Sequence, residues 1–295
     1  MIRKPLLVLV STIFAFSPIL AGDAPPPVAK LSAAEIVDKN VAARGGLQAW
    51  RSVHTMSMSG TIGVGGNQRA ALATPTPGRK GEKPIGPNRP VEEVRLPFTM
   101  RMARTRKQRI ELQFKGETAI QVFDGTNGWK LRPYLGRRVV ESFTDEEIKS
   151  TSSQADLDGP LVDYAAKGTK IEFVGTDKVE GHDAYKVKLT LKTGDSVNVW
   201  IDAQTFLESK IEGQPRRLDG VYHPVEVYFR DYRIVNGLQI PFVLETKVLP
   251  AASPLRGFRD TPVPPEQTIF EKVEVNPKLD PSIFSKPEVL QSQVR

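Results

Sequence analysis

Between residues 170 and 247, apolar and polar side chains alternate in strand-length segments. Tyr185, Val187, Leu189 and Leu191 fall on one side of one segment, and Lys186, Lys188 and Thr190 on the other. A period of two is the mark of a sheet with one apolar and one wetted face. Val197, Val199 and Ile201 repeat it, as do Val225, Val227 and Phe229. Across Asn236-Gly237 it returns in Leu238, Ile240, Phe242 and Leu244, and an Asn-Gly pair between alternating segments predicts a tight hairpin. Either the protein's own core or a carried ligand must lie against this apolar face.

The rest of the chain supplies candidate covers. Ser32 and Glu35 stand in capping-box spacing, with Leu31 ahead of them, and Ile36, Val37 and Val41 follow at near-helical intervals before Gly45-Gly46. This predicts a short one-faced helix, with one more turn over residues 47–50. His54 to Ile62 alternates as a first strand. Residues 63–93 lose all period and are rich in Gly and Pro, which predicts a flexible insertion. The alternation resumes in Phe98, Met100 and Met102, with Arg104 and Arg106 on the same side if the strand continues. Ile110, Leu112 and Phe114, then Ile120 and Val122, extend a hairpin meander that turns at residues 124–128 before Trp129 and Leu131. Thr144 and Glu147 form a second capping box. Ile148, Leu157, Leu161, Val162 and Tyr164 give a broken helical stripe, predicting two short helices kinked at Gly159-Pro160. A last strand is expected near residues 268–275. No internal repeat is evident, and nothing like a linker parts the two meanders, so one domain over residues 32–295 is the economical reading.

The first residues change the picture. Arg3 and Lys4, an apolar run over residues 5–20 and a small residue at Ala21 have the three regions of a cleavable signal peptide, followed by a Pro-rich linker over residues 22–31. The run is too short, and interrupted by Pro18, to read as a membrane span. An exported chain without a stable transmembrane segment is therefore expected. The sequence has no cysteine, which removes disulfides and thiolate metal sites. The formal charge of +7 falls once Arg3 and Lys4 are cleaved away, leaving a mildly basic chain.

Candidate chemistry is sparse. His54, His182 and His223 have no partner at metal-ligand spacing, so no metal is expected. Nucleophile-elbow, P-loop and dinucleotide motifs are absent, and Asp145, Glu146 and Glu147 read as favourable charges on a helix's first turn. No catalytic residue and no cofactor is expected. Arg95, Arg101, Arg104, Arg106, Lys107 and Arg109 occur with no acid between them. They read either as a solvated strand edge or as a site for a phosphate or carboxylate group. Without interleaved aromatics, nucleic acid is not expected.

The order of elements, with Val122-Phe123-Asp124-Gly125-Thr126-Asn127-Gly128-Trp129 in the first meander, resembles the periplasmic outer-membrane lipoprotein-sorting carriers, the LolA-like superfamily. Tyr228-Phe229-Arg230-Asp231-Tyr232-Arg233, the Asn236 to Pro241 turn, and Glu271 to Asn276 with the Ile283-Phe284 tail resemble more distant members. The resemblance implies an α+β fold, an unclosed antiparallel half-barrel with short helices as a lid on its concave face. It further implies a non-enzymatic, monomeric periplasmic protein that holds a lipid or lipoprotein acyl chains and meets transfer partners at the inner or outer membrane. The implied lining is Met100, Met102 and Arg104 from the first meander, Ile148 and Leu161 from the lid, and Tyr185, Val187, Leu189, Val199, Ile201, Val227, Phe229, Ile240 and Phe242 from the second. Arg104 takes the place of the family's ligand-holding arginine, although Thr105-Arg106 follows it where the family has Pro-Asn. The alternative is an envelope protein-interaction module whose apolar face is filled by its own helices.

Overall fold

The computed structural model describes residues 31–65, 93–133, 137–218, 221–251 and 264–288. The expected signal peptide, and most of the expected insertion at 63–93, lie outside these residues.

Both capping boxes form. Ser32 and Glu35 bond reciprocally at the start of α1 (Ala33–Ala43), and Thr144 and Glu147 do so at α3 (Asp145–Gln154). Between them, α2 (Leu47–Arg51) is the expected extra turn. The strands are β1 (Thr55–Gly65), β2 (Glu93–Ala103), β3 (Lys107–Phe114), β4 (Glu117–Phe123), β5 (Gly128–Arg132) and β6 (Arg137–Ser142) in the first meander. In the second they are β7 (Lys170–Val179), β8 (His182–Thr190), β9 (Ser196–Asp202), β10 (Glu208–Leu218), β11 (Val221–Val235), β12 (Leu238–Val248) and β13 (Glu266–Val275).

All 13 strands form one antiparallel sheet, ordered β6-β5-β4-β3-β2-β1-β13-β12-β11-β10-β9-β8-β7. The two meanders are its wings, joined where β1 pairs with β13, and β6 and β7 do not pair with each other. The architecture is an α+β open half-barrel. Directly opposed residues of an antiparallel pair share a face, so the register of the sheet sorts every strand. The inner face carries Met56, Met58, Phe98, Met102, Val187, Leu189, Val199, Ile201, Ile240, Phe242 and Phe270 in a single buried cluster. The outer face of the second wing carries the expected polar set. There Trp200 is flanked by Lys186 and Lys210, and Tyr228 by Lys210, Arg230 and Lys247, with Lys210 Nζ 4.0 Å from the Trp200 ring centre.

Three expectations are corrected. β1 runs on through Gly63 to Gly65, pairing with Arg95, Val94 and Glu93, so the first strand is longer than its apolar period suggested. Residues 156–168 form successive turns and not a second helix, because Gly159 (φ +75°) and Asp163 (φ +52°) sit in the left-handed region that ends a helical path. Arg106 does not continue the inner side of β2, since Thr105 (φ 64°) and Arg106 (φ 61°) make the turn into β3.

Candidate functional site

The inner face is covered from the middle of the chain and from its start. Ile36, Val37 and Val41 of α1, Trp50 of α2, and Leu157, Leu161 and Val162 of the turn stretch all belong to the buried cluster on the sheet. α1 is set over the second wing by its C-terminal end, where Gln239 donates its backbone N–H to Arg44 O at 3.1 Å. Asn40 donates to Phe206 O at 2.8 Å. A single buried arginine then ties the cover together. Arg44 stacks on the Trp50 ring at 4.4 Å and donates through one nitrogen to Asp158 O and Glu208 Oε1, at 3.2 and 3.1 Å.

Arg104 does the same from the end of β2. Its guanidinium donates to Val53 O at 2.8 Å, Trp50 O at 2.6 Å and Asp158 Oδ2 at 2.5 Å. The side chain sequence reasoning singled out is thus spent on the protein's own backbone and on a carboxylate of the turn stretch. Asp158 is buried and also receives Lys167 Nζ at 2.5 Å, while Asp156 lies 2.8 Å from the same ammonium. Burial pushes both carboxyls up. In Asp158 the hydrogen bonds from Lys167 and Arg104 outweigh that and hold its pKa below the usual range. In Asp156 burial prevails, helped by its negative neighbour, and the pKa is raised. Arg51 adds a two-pronged pair with Asp163 at 2.6 and 2.9 Å. The two converging aspartates are therefore held under cations as part of the cover.

Along the row Phe173, Val187, Val199, Ile211, Val227 and Thr246, read across β7 to β12, burial is greatest at Val187 and Val199 and falls off towards β12. Val187 and Val199 are 0% and 1% exposed, whereas Ile211 and Val227 are half-buried. Phe229, opposite Leu244, is half-buried as well. In the first wing Ile62, Met100 and Leu112 also stand partly open beside the core. Of the expected lining, Met102, Leu161, Val187, Leu189, Val199, Ile201, Ile240 and Phe242 lie in the buried cluster against the cover, and Tyr185 stacks on Phe206 with ring centres 5.8 Å apart. Met100, Val227 and Phe229 lie on the part that the cover leaves half-open. Ile148 is half-buried in α3, outside the cluster.

The arginine-rich stretch does not converge. Arg101 and Arg109 meet Glu111 on the outer face at 3.1 and 2.7 Å, and Arg109 also donates to Ile283 O at 3.0 Å. Arg106 points to Ser152. What sequence reasoning missed is the polar border of the inner face. The row Val273, Met58, Met100, Ile110, Gln121, Lys130 and Glu141 runs across β13, β1, β2, β3, β4, β5 and β6 and turns from apolar to charged. Lys130 there meets both carboxylate oxygens of Glu147, Oε2 at 2.6 Å. Gly128 makes that contact possible. A Cβ on it would fall 1.9 Å from the Phe143 ring, and Phe143 N–H donates to Gly128 O at 2.8 Å, laying the start of α3 across β5.

Among the described residues no helix is long and apolar enough to cross a membrane. An open cleft of about 450 Å³ between the turn at Asp124, Thr126 and Asn127 and the tail at Pro281, Phe284 and Lys286 is mostly polar in lining.

No protein-family model and no curated protein matches the sequence. Solved structures do match the fold. A LolA superfamily protein from Nitrosomonas europaea is 11% identical with a TM-score of 0.50, the match covering 87% of this chain and 98% of that one. A DUF1329 family protein from Desulfovibrio piger is 10% identical with a TM-score of 0.51, covering 86% and 97%. Identities this low speak for the fold alone. Over nearly the whole length of both neighbours the chain follows the same path, and its fold is LolA-like.

Proposed function

We propose that this chain is a non-enzymatic periplasmic carrier or sensor that holds a lipid, or the acyl chains of a lipoprotein, between the sheet and its helical cover. The observation that carries this reading is the half-open floor. Ile211, Val227, Phe229 and Leu244 continue the inner face of the buried cluster without being buried themselves. Each methylene fully removed from water gains about 0.8 kcal/mol, and even the part of this gained on a half-open floor lets a chain bind without any catalytic group. Met100, Val227 and Phe229 are the ligand contacts in this proposal. The deeply buried members of the implied lining, such as Val187 and Ile201, act as the wall behind them. Export by a signal peptide over residues 1–21, a single domain over 32–295 and a monomeric state belong to the same reading.

The chain purified from a bacterial periplasm is expected to carry lipid detectable by mass spectrometry after solvent extraction. Once delipidated, it is expected to bind a fluorescent fatty-acid analogue at micromolar concentration. A protein that is lipid-free as isolated and takes up no probe would overturn the proposal. It would favour the second reading, an envelope interaction module, to which the complete burial of Val187, Leu189 and Ile201 under the chain's own helices lends support.

A further inference from the structure

The polar border of the inner face holds two cations and an internal anion that sits on one of them. Lys130 is almost fully buried on β5, and Arg132, two residues on, shares its side of the strand. Arg132 donates one terminal nitrogen to Glu141 at 2.7 Å, while its Nε is buried with no hydrogen-bond partner among the described residues. A buried donor left unmade is costly and marks a place where an acceptor fits. Glu147 supplies the missing charge from α3. Burial would raise its pKa, but the hydrogen bonds from Lys130 and from the Thr144 backbone, with the charges of Lys130 and Arg132 behind them, hold it below the usual range. Glu147 is nonetheless the exposed partner, 38% open where Lys130 is 9%. The helix that carries it has no fully buried side chain, with Ile148 half-buried, and its other polar ties among the described residues include the exposed Lys149–Asp195 pair and a 3.4 Å contact from Arg106 to Ser152.

We propose that Lys130 and Arg132 form a head-group site for an anionic amphiphile, and that Glu147 occupies it as an internal stand-in until a phosphate or carboxylate displaces it. This rests on the carrier reading and refines it. The tail of such a ligand would lie along Ile110 and Met100, which share the inner-face row of Lys130. Met100 is three strand spacings, about 14 Å, from Lys130. With Glu147 displaced, Arg132 keeps Glu141 while Lys130 loses its carboxylate partner among the described residues, which an anionic head replaces. Displacement also frees α3 from its least exposed tie, so binding and movement of that helix become one event.

The test uses the full mature chain loaded with an uncharged fluorescent apolar probe, displaced by lysophosphatidic acid or by the monoacylglycerol of the same acyl chain. Glu147→Gln is expected to raise the affinity for lysophosphatidic acid about tenfold, and Lys130→Met to lower it about tenfold, with the monoacylglycerol unchanged in both. Lys130→Arg, which keeps the charge, is expected to restore most of the loss. Inorganic phosphate at the same concentration is expected to leave the probe in place; displacement by it would overturn the assignment to a lipid head group. Equal shifts for the charged and uncharged lipids would overturn the anion site and leave the carrier reading standing. Failure of both lipids to displace the probe in every variant would overturn both.

Discussion

Two pieces of the segment between the wings are neighbours in sequence and unlike in attachment. The turn stretch over residues 156–168 puts Leu157, Leu161 and Val162 into the core and is tied down by Arg44, Arg51, Arg104 and Lys167. α3, immediately before it, has no fully buried residue and is held by the half-buried Ile148 and by the polar contacts of Glu147, Lys149 and Ser152. Regular secondary structure and firm attachment have parted company. The helix owes its existence to its capping box, which is local, while the irregular stretch owes its shape to charges and side chains drawn from α1, α2 and β2. On these contacts the helix is expected among the low-energy openings and the turns in the global unfolding unit.

Leu161→Ala is the sharpest way to break this contrast. Leu161 is 1% exposed, and deleting its side chain should cost about 2–5 kcal/mol in urea unfolding. A loss no larger than that of a surface change would mean that the turn stretch is not part of the core. Arg104→Met comes next, at about 2–3 kcal/mol. It strips Asp158 of one of its two cations and takes a donor from the Val53 and Trp50 carbonyls, of which Trp50 O keeps the Val53 N–H, and the arginine's one-third exposure further moderates the cost.

The two aspartates should then differ in sign. The pKa of Asp158 is held down in the folded state, so its charge contributes stability above the unfolded value of about 3.9, and that contribution is lost as pH falls through the lower folded value. Asp156, with its pKa raised, costs stability once pH rises past the unfolded value, and the full cost is reached above the folded one. Asp158→Asn should therefore destabilise at pH 7 by about 1–2 kcal/mol, an effect that fades in acid, while Asp156→Asn should be neutral or stabilising. Denaturation curves across the acid range would expose a common sign if the pair is misassigned. The smallest effect is expected from Ile148→Ala, under about 1 kcal/mol. Hydrogen exchange should find the amides of α3 opening well before those of β8; equal protection would erase the distinction between the two pieces.

How much of this was written in the sequence follows from the range of each interaction. Period-two alternation sorted β8, β9, β11 and β12 onto the right faces because a strand's side chains obey its own pleat. Ser32-Glu35 and Thr144-Glu147 announced both helix starts because a capping box closes within four residues. The second lid helix was misread because Leu157, Leu161 and Tyr164 have helical spacing, and only the left-handed turns at Gly159 and Asp163 reveal that the spacing is filled another way. The arginine-rich stretch promised one positive site, yet strand alternation, a turn and Glu111 from the neighbouring strand disperse it. Lys130 and Arg132 went unnoticed because their meaning depends on the register of β4 with β5 and on where α3 comes to rest. The Asp124 to Gly128 motif that suggested the family proves to be a tight turn. Asp124 accepts the N–H groups of Thr126 and Asn127, and Gly125 clears the Thr105 carbonyl.

The pairing of β1 with β13 sets a timetable as well as a shape. The first meander can zip up from neighbouring hairpins as soon as its residues are available, but β1 then presents an unsatisfied edge on one side. That edge is filled by β13, the last strand among the described residues. For a polypeptide delivered N-terminus first, half of the sheet must wait with its seam unsewn until Glu266–Val275 arrives, and contacts between chain ends are the slowest to find. During that interval the exposed margin of β1 is the place where a second copy could pair wrongly. Completion of the sheet in this molecule thus waits on β13.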